Sequence, residues 1–250
     1  MSDSNISYSV FSGVYDALTH DVEYEKRCDY IEKLIKKHMT YTPELVADLG
    51  CGTGTVCTIL SERGYDCIGI DSSDMMLDIA GKKDPDRKIL YLNQDMCEFE
   101  LYGTVDVFLC MLDSLNYLLS AEEVADVLSL VKNYLNPGGL FIFDVNTFFK
   151  YNEILSDNTF VFEEENVFYT WENSFDGEYC DFRLNFFVRN KDGHYDRMCE
   201  EHSQRYHSPE ELTHLIENSG LKLEAVYREL TEDAPSDGDQ RMFFVVKKEF

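Results

Sequence analysis

The run Val46-Ala47-Asp48-Leu49-Gly50-Cys51-Gly52-Thr53-Gly54 sets three glycines two residues apart behind an acid, and Ile70-Asp71 follows about sixteen residues after the last of them. Glycines let the backbone approach a ligand and open a helix, and an acid that ends the next strand can accept two hydrogen bonds from a ribose diol. That chemistry belongs to a nucleotide-type cofactor site. The usual dinucleotide loop needs its third glycine at position 55, where Thr55 stands, so the spacing here is G-x-G-x-G.

Other polar residues have the types needed for proton transfer or orientation. Leu112-Asp113-Ser114-Leu115-Asn116-Tyr117 follows a nearly unbroken apolar run, and Asp144 and Asn146 close another. Asp113 can hold or accept a proton, and it or Ser114 can equally cap the following turn. Glu200, His202, Gln204 and Tyr206 share one face if their strand is regular, with Arg205 on the other. His202 is a candidate base, although a lone strand histidine is more often a structural hydrogen-bond partner. Asp113, Asp144 and Asn146 carry oxygen ligands that would suit magnesium, but their spacing supplies no metal motif and no metal is expected.

The elements that must position these residues alternate as in an α/β fold. Strands are expected at Val46 to Leu49, Asp66 to Ile70, Lys88 to Leu92, Val105 to Met111 and Leu140 to Val145. Helices are expected at Thr55 to Arg63, after the cap Ser73 through Met75, Met76 and Ile79, and after the capping-box pair Ser120 and Glu123. Ser208, Pro209 and Glu211 start a last helix that Gly220 ends, with strands at Leu221 to Leu230 and Arg241 to Lys247. An amphipathic helix near Val22 to His38 precedes the core, itself preceded by Tyr8, Phe11, Tyr15 and Leu18. Residues 148–206 alternate like sheet, at Thr159 to Phe162, Phe168 to Trp171, Asp181 to Phe187 and Arg197 to Tyr206, with turns at Asp176-Gly177 and Asp192-Gly193. The expected architecture is a doubly wound, mostly parallel seven-stranded sheet. Residues 1–147 and 207–250 form its core, and 148–206 form a small antiparallel insertion leaving from a strand carboxyl end, where it should cover the site.

Composition removes several classes of function. In 250 residues, 48 acids face 22 bases, and the net charge of -26 repels phosphate backbones, so nucleic acid is an unexpected partner and a cationic or neutral small molecule suits better. No apolar run approaches the roughly 18 residues needed to cross a membrane, and the polar start Met1-Ser2-Asp3-Ser4-Asn5 does not lead into a signal sequence. A cytoplasmic protein, monomer or homodimer, is expected. The eight cysteines are scattered, and none forms a C-x-x-C pair, which favours reduced structural thiols.

The ordered motifs resemble those of the class I S-adenosylmethionine (SAM) dependent methyltransferases. Asp48, Gly50, Gly52 and Gly54 match the family's acid and G-x-G-x-G loop, Asp71 its ribose acid, Gln94-Asp95-Met96 its adenine contact, and Leu135-Asn136-Pro137-Gly138-Gly139-Leu140 the turn before its fifth strand. The resemblance spans residues 46 to 145. It implies SAM as cofactor, with S-adenosylhomocysteine (SAH) as product, held by Tyr15, Asp48, Gly50, Cys51, Gly52, Gly54, Asp71, Ser72, Met76, Asp95, Met96 and Leu112. Asp48 would face the ammonium, and Asp113 and Asn116 would point toward the methyl site with His202 as the further base. The chain lacks the Asn/Asp-Pro-Pro-aromatic turn of enzymes that methylate base amino groups and glutamine amides, having Met111-Leu112-Asp113-Ser114 instead. A methyl acceptor of small size, reacting at nitrogen or oxygen, is the expected partner. A noncatalytic SAM-binding protein and an NAD-dependent oxidoreductase are the competing readings, the second opposed by Thr55 and Asp48.

Overall fold

The structure is a computed structural model that describes residues 22–163, 166–190 and 192–250. The expectations for Tyr8, Phe11, Leu18 and Tyr15, the last as a cofactor contact, lie outside these residues. Helix α1 (Tyr24–His38) leads to β1 (Leu45–Leu49), α2 (Thr55–Glu62), β2 (Asp66–Asp71), α3 (Asp74–Lys83), β3 (Leu90–Asn93) and β4 (Val105–Cys110). A 3-10 turn (Ser114–Tyr117) precedes α4 (Ala121–Tyr134) and β5 (Leu135–Asn146), and a π-type turn follows at Lys150–Leu155. The inserted strands are β6 (Thr159–Glu163), β7 (Val167–Phe175), β8 (Tyr179–Arg189) and β9 (Tyr195–Arg205). Then come α5 (Pro209–Ser219), β10 (Lys222–Arg228) and β11 (Arg241–Lys247).

Seven strands form one sheet in the order β10-β11-β5-β4-β1-β2-β3, and the four inserted strands form a second sheet in chain order. Pairings from β3 through β5 are parallel, while β11 runs antiparallel to both β5 and β10. The inserted sheet is antiparallel throughout. Alternation along the central strands assigns the two faces of the large sheet. Phe108, Phe141, Phe143 and Phe244 pack beneath Val124, Val127, Leu128 and Val131 of α4, whereas Val107, Leu109, Ile142 and Phe243 meet Ile31 and Leu34 of α1 and Leu60 of α2. Each such buried side chain contributes about 1.5–3 kcal/mol. A third cluster, with Tyr151, Phe182, Leu184 and Phe186, lies on one face of the inserted sheet.

Among the boundaries that depart from the expected ones, two have clear local reasons. Strand β3 begins at Leu90, because the N–H groups of Lys88 and Ile89 donate to the Asp84 carboxylate at 3.1 and 2.8 Å and are withdrawn from pairing. Strand β5 begins at Leu135, since the Asn136 to Gly139 turn is a bulge within it and Leu135 still pairs with Val105. Gly139 is required there: a Cβ would lie 2.6 Å from the Asp106 carbonyl oxygen. Ser120 and Glu123 form the expected reciprocal cap of α4, and Ser73 accepts from Met76 N–H at the start of α3. Among the described residues, no helix is long and apolar enough to cross a membrane.

Candidate active site

Strand β1 lies between β2 and β4, the point where the chain changes its direction of travel across the sheet, and ligands of open α/β sheets sit beyond the carboxyl ends there. A cleft of about 410 Å³ opens at that place. Its wall includes Asp48, Gly50, Cys51 and Gly52 after β1, Asp71, Ser72, Ser73 and Met76 after β2, Gln94 and Met96 after β3, and Met111, Leu112 and Ser114 after β4. Gly54 does not line it. That residue turns the chain into α2 at φ +70°, and a Cβ there would meet the Tyr91 hydroxyl. A Cβ on Gly50, at φ +67°, would lie 2.9 Å from the Ser114 side chain, so any larger residue would push the loop away from the turn after β4.

Two carboxylates set the charge of this cleft, and no lysine or arginine lines it among the described residues. Asp71 accepts from Gly52 N–H at 2.8 Å and from Ser73 N–H at 2.9 Å, one bond to each oxygen, which leaves a second lone pair on each for a diol. Asp48 is buried, and among the described residues its Oδ2 meets only the Cys57 thiol at 3.8 Å and its Oδ1 has no partner. Burial, then the charge of Asp71, pushes the Asp48 carboxyl up to about 7. A buried carboxyl with an unmatched oxygen is completed by a cation, and the methionine ammonium of SAM supplies one, whereas the pyrophosphate of a dinucleotide would be repelled. The residues fit SAM. Cys51 lines the cleft, yet burial and the two nearby acids drive its thiol far above the usual range, which keeps it unreactive. Met76 faces the cleft while Met75 is exposed. Asp95 lines neither cavity described here; it accepts from Cys97 N–H at 2.8 Å, and its neighbours Gln94 and Met96 reach the cleft instead.

A second cavity of about 300 Å³ adjoins the first, and Leu112 and Tyr117 line both. Asp113, Asn146, Lys150 and Arg241 come to it from the core and the segment after β5, and Trp171, Phe182, Leu184, His202 and Gln204 from the inserted sheet. Its polar side is a continuous network. Leu112 and Asp113 both adopt the left-handed conformation, at φ +55° and +56°, and their N–H groups donate to the two oxygens of Asp144 at 2.7 and 3.2 Å. Asp144 also binds Arg241, whose guanidinium reaches Asp113 Oδ1 as well and lies 3.5 Å from Glu229. Asp113 Oδ2 accepts from Gln204 Nε2 at 2.7 Å, and Gln204 Oε1 accepts from Tyr151 at 2.9 Å and Asn146 at 3.3 Å. The cation held by Asp113 and Asp144 is therefore the arginine.

This network redirects two expectations. Burial by itself would raise the Asp113 carboxyl, but Arg241, Lys150 and Gln204 outweigh it and hold the group below the usual range with both oxygens occupied, so Asp113 is a poor proton acceptor. Asn116 is fully buried and lines neither cavity: its amide donates to the Arg205 carbonyl at 2.8 Å and accepts from Asn146 N–H at 3.0 Å, tying β5 to β9. His202 does line the second cavity, packed against Phe182 and Tyr117 at ring separations of 5.0 and 5.4 Å. Burial lowers its pKa against the opposing pull of Asp113, leaving the ring neutral at pH 7. Lys150 and Arg241 escaped the sequence reading as site residues. The only signal for Arg241 was its position opening a strand beside the sheet's carboxyl end, and Lys150 gave none.

A sheet of this order, with a glycine-floored anionic cleft at its topological switch, defines the class I SAM-dependent methyltransferases. Residues 46–139 match the family described as a methyltransferase domain. The chain is 34% identical over 245 residues, 96% of its length, to YqeM of Bacillus subtilis (strain 168), assigned as a methyltransferase, and covers 97% of that protein. A SAM-dependent methyltransferase from Clostridium acetobutylicum is 28% identical, with a TM-score of 0.88 over 97% of this chain and 99% of that one. The SAM-bound amino pentose methyltransferase CalS10 from Micromonospora echinaspora, 18% identical, shares the fold with a TM-score of 0.77, covering 99% and 100% of the two chains. The chain belongs to the SAM-dependent methyltransferases; it is an enzyme, and SAM is its cofactor.

Proposed function

We propose that this enzyme methylates a nitrogen or oxygen atom of a small molecule held in the second cavity. One observation carries the reading: that cavity shares the Leu112 and Tyr117 wall with the cofactor cleft, so a molecule in it borders the site from which a methyl group leaves. The name of the amino pentose methyltransferase, a protein of the same fold, supports a small acceptor reacting at a polar atom. Bound SAM supplies the chemistry, an electrophilic methyl on a sulfonium.

The chain's own residues bind, align and exclude water. Asp48 pairs with the ammonium of the cofactor, Asp71 accepts its ribose hydroxyls, and Gln94, Met76 and Met96 border its adenine. Residues 148–206 serve as the cover of the acceptor, since Trp171, Phe182 and Leu184 line the cavity together with Leu112. In-line displacement draws its rate mainly from such alignment and desolvation. His202, neutral and without a hydrogen-bond partner on either ring nitrogen among the described residues, takes the proton released by the acceptor. Asp113 and Asn116 act as positioning residues, the first through Arg241 and Gln204, the second through the backbones of β5 and β9.

Isotope-labelled SAM incubated with the protein and a cell extract freed of protein and nucleic acid tests the reading. Label appearing in a low-mass product, reduced at least tenfold by His202→Ala without loss of SAH binding, is the expected result. Label confined to macromolecules when these are restored would overturn it.

A further inference from the structure

We propose that the acceptor carries an anionic group, a carboxylate or a phosphate, and that Lys150 binds it inside the second cavity. The proposal rests on the reading of that cavity as the acceptor's chamber.

Lys150 is fixed at its backbone and at the tip of its side chain. Its N–H donates to Thr147 Oγ1 at 3.1 Å, and the Thr147 hydroxyl is itself held by the Asp239 carbonyl at 2.6 Å. At the other end, Nζ donates to Asn146 Oδ1 at 2.8 Å. An ammonium has three protons to donate, and among the described residues this is its one hydrogen-bond acceptor; no carboxylate forms an ion pair with it. Lys150 is partly exposed on the cavity wall, and its further protons are open to a ligand's anion, a charge-assisted bond roughly twice as strong as one between neutral groups.

The other charged groups on the cavity wall already have charged partners. Arg241 is shared among Asp113, Asp144 and Glu229, and Asp113 has both oxygens engaged by Arg241 and Gln204. His202 is uncharged at neutral pH. An incoming cation therefore meets no open carboxylate among the described lining residues, while an incoming anion meets the Lys150 ammonium. Burial, followed by the charge of Arg241, brings the Lys150 pKa down to about 8, so at pH 7 its charged form still prevails about tenfold. The chain as a whole is strongly acidic, which makes a cation retained in this wall a feature of the site and not of the surface. Trp171, Phe182 and Leu184 form an apolar wall of the same cavity, suiting a flat organic body attached to the anion.

Trp171 is the single tryptophan of the chain and reports on the cavity directly. With the protein saturated in SAH, which calorimetry establishes first, its fluorescence is followed during titration with benzoate, phenyl phosphate, benzamide and benzylammonium. The expected result is that one or both anions bind at least about tenfold more tightly than benzamide, the benzoate and phenyl phosphate arms telling carboxylate from phosphate. Lys150→Met should erase the preference while SAH binding persists, and Lys150→Arg should keep it. Equal binding of all four probes, no response to any, a preference for benzylammonium, or an anion preference that survives Lys150→Met would overturn the proposal. Absence of SAH binding at the first step would instead strike the roles given to Asp48 and Asp71.

Discussion

The two cavities share the wall of Leu112 and Tyr117 and are built by opposite means. The cofactor cleft is built around backbone: the glycine loop after β1, the ends of three further parallel strands, and two carboxylates, of which Asp71 is held by the Gly52 and Ser73 N–H groups. The second cavity is mostly side chain, assembled from β4, β5, the π-type turn, three inserted strands and β11. Backbone sites tolerate changes of side chain and fail when the path of the chain is altered, whereas a side-chain network fails when one member is removed. The charge differs in the same sense, two acids against no base in the first and a bridging arginine with a nearby lysine in the second.

Removal of Arg241 should give the largest effect. Arg241→Met leaves Asp113 and Asp144 buried without their cation, a change worth about 3–5 kcal/mol, and the denaturation midpoint should fall accordingly. Adding Asp144→Asn to that variant should restore part of the loss. If Arg241→Met costs no more than an ordinary surface substitution, the second cavity is not held by its side chains and the contrast fails.

Asp71 tests the other side of the comparison. Asp71→Ala removes an acceptor of two backbone N–H groups and of the ribose hydroxyls, and SAH affinity measured by calorimetry should drop about 100-fold, or about 2.7 kcal/mol. Thermal unfolding is an independent check, because SAH at about 100 times its dissociation constant stabilises the normal protein by about 2.7 kcal/mol. That increment should largely vanish in the variant. Unchanged affinity would remove Asp71 from the ribose role.

The pH dependence of binding sharpens the assignment of Asp48. Its folded pKa is raised, to about 7, so the protonated form prevails below that value and the carboxylate above it. A ligand ammonium binds the carboxylate, and SAM affinity should therefore rise as pH is raised from 5 to 7, by at most about tenfold per unit, and level off beyond. The same raised pKa means that Asp48 lends stability to the free protein at low pH, lost as pH rises through about 7. Asp48→Asn should flatten both trends; a SAM affinity independent of pH in the unaltered protein would separate Asp48 from the ammonium.

The same distinction explains what the sequence disclosed. A backbone site is written in consecutive residues, so the glycines, Asp48, Asp71 and the strands beside them were readable from spacing and periodicity, while the order of those strands in the sheet was not. The second cavity joins residues as far apart as Asp113 and Arg241, which no local pattern connects. Asp113 and Asn116 were noticed for their side chains alone, since a sequence displays a carboxylate or an amide and not the partners that occupy it: Asp113 lines the second cavity with both oxygens engaged, and Asn116 is buried beside it. Lys150 sits on a π-type turn that has no hydrophobic period, and the cavity it lines is completed by side chains of the inserted sheet.

The smallest expected effect is a control on both regions. Ser120 caps α4 reciprocally with Glu123, and neither residue lines either cavity. Ser120→Ala should lower the stability of the protein by about 1 kcal/mol through the uncapped N–H groups. That loss should be equal with and without saturating SAH, because the helix packs on the face of the sheet through Val124, Val127 and Val131 and leaves the strand ends in place. Equal loss means that a stability change of this size does not reach the ligand sites, and the affinity effects of Asp71 and Asp48 can then be assigned to the cleft itself. A reduced SAH affinity in Ser120→Ala would mean instead that the strand ends shift with the helix. The cleft would then depend on distant packing as the second cavity depends on Arg241, and the division between a backbone site and a side-chain site would not hold.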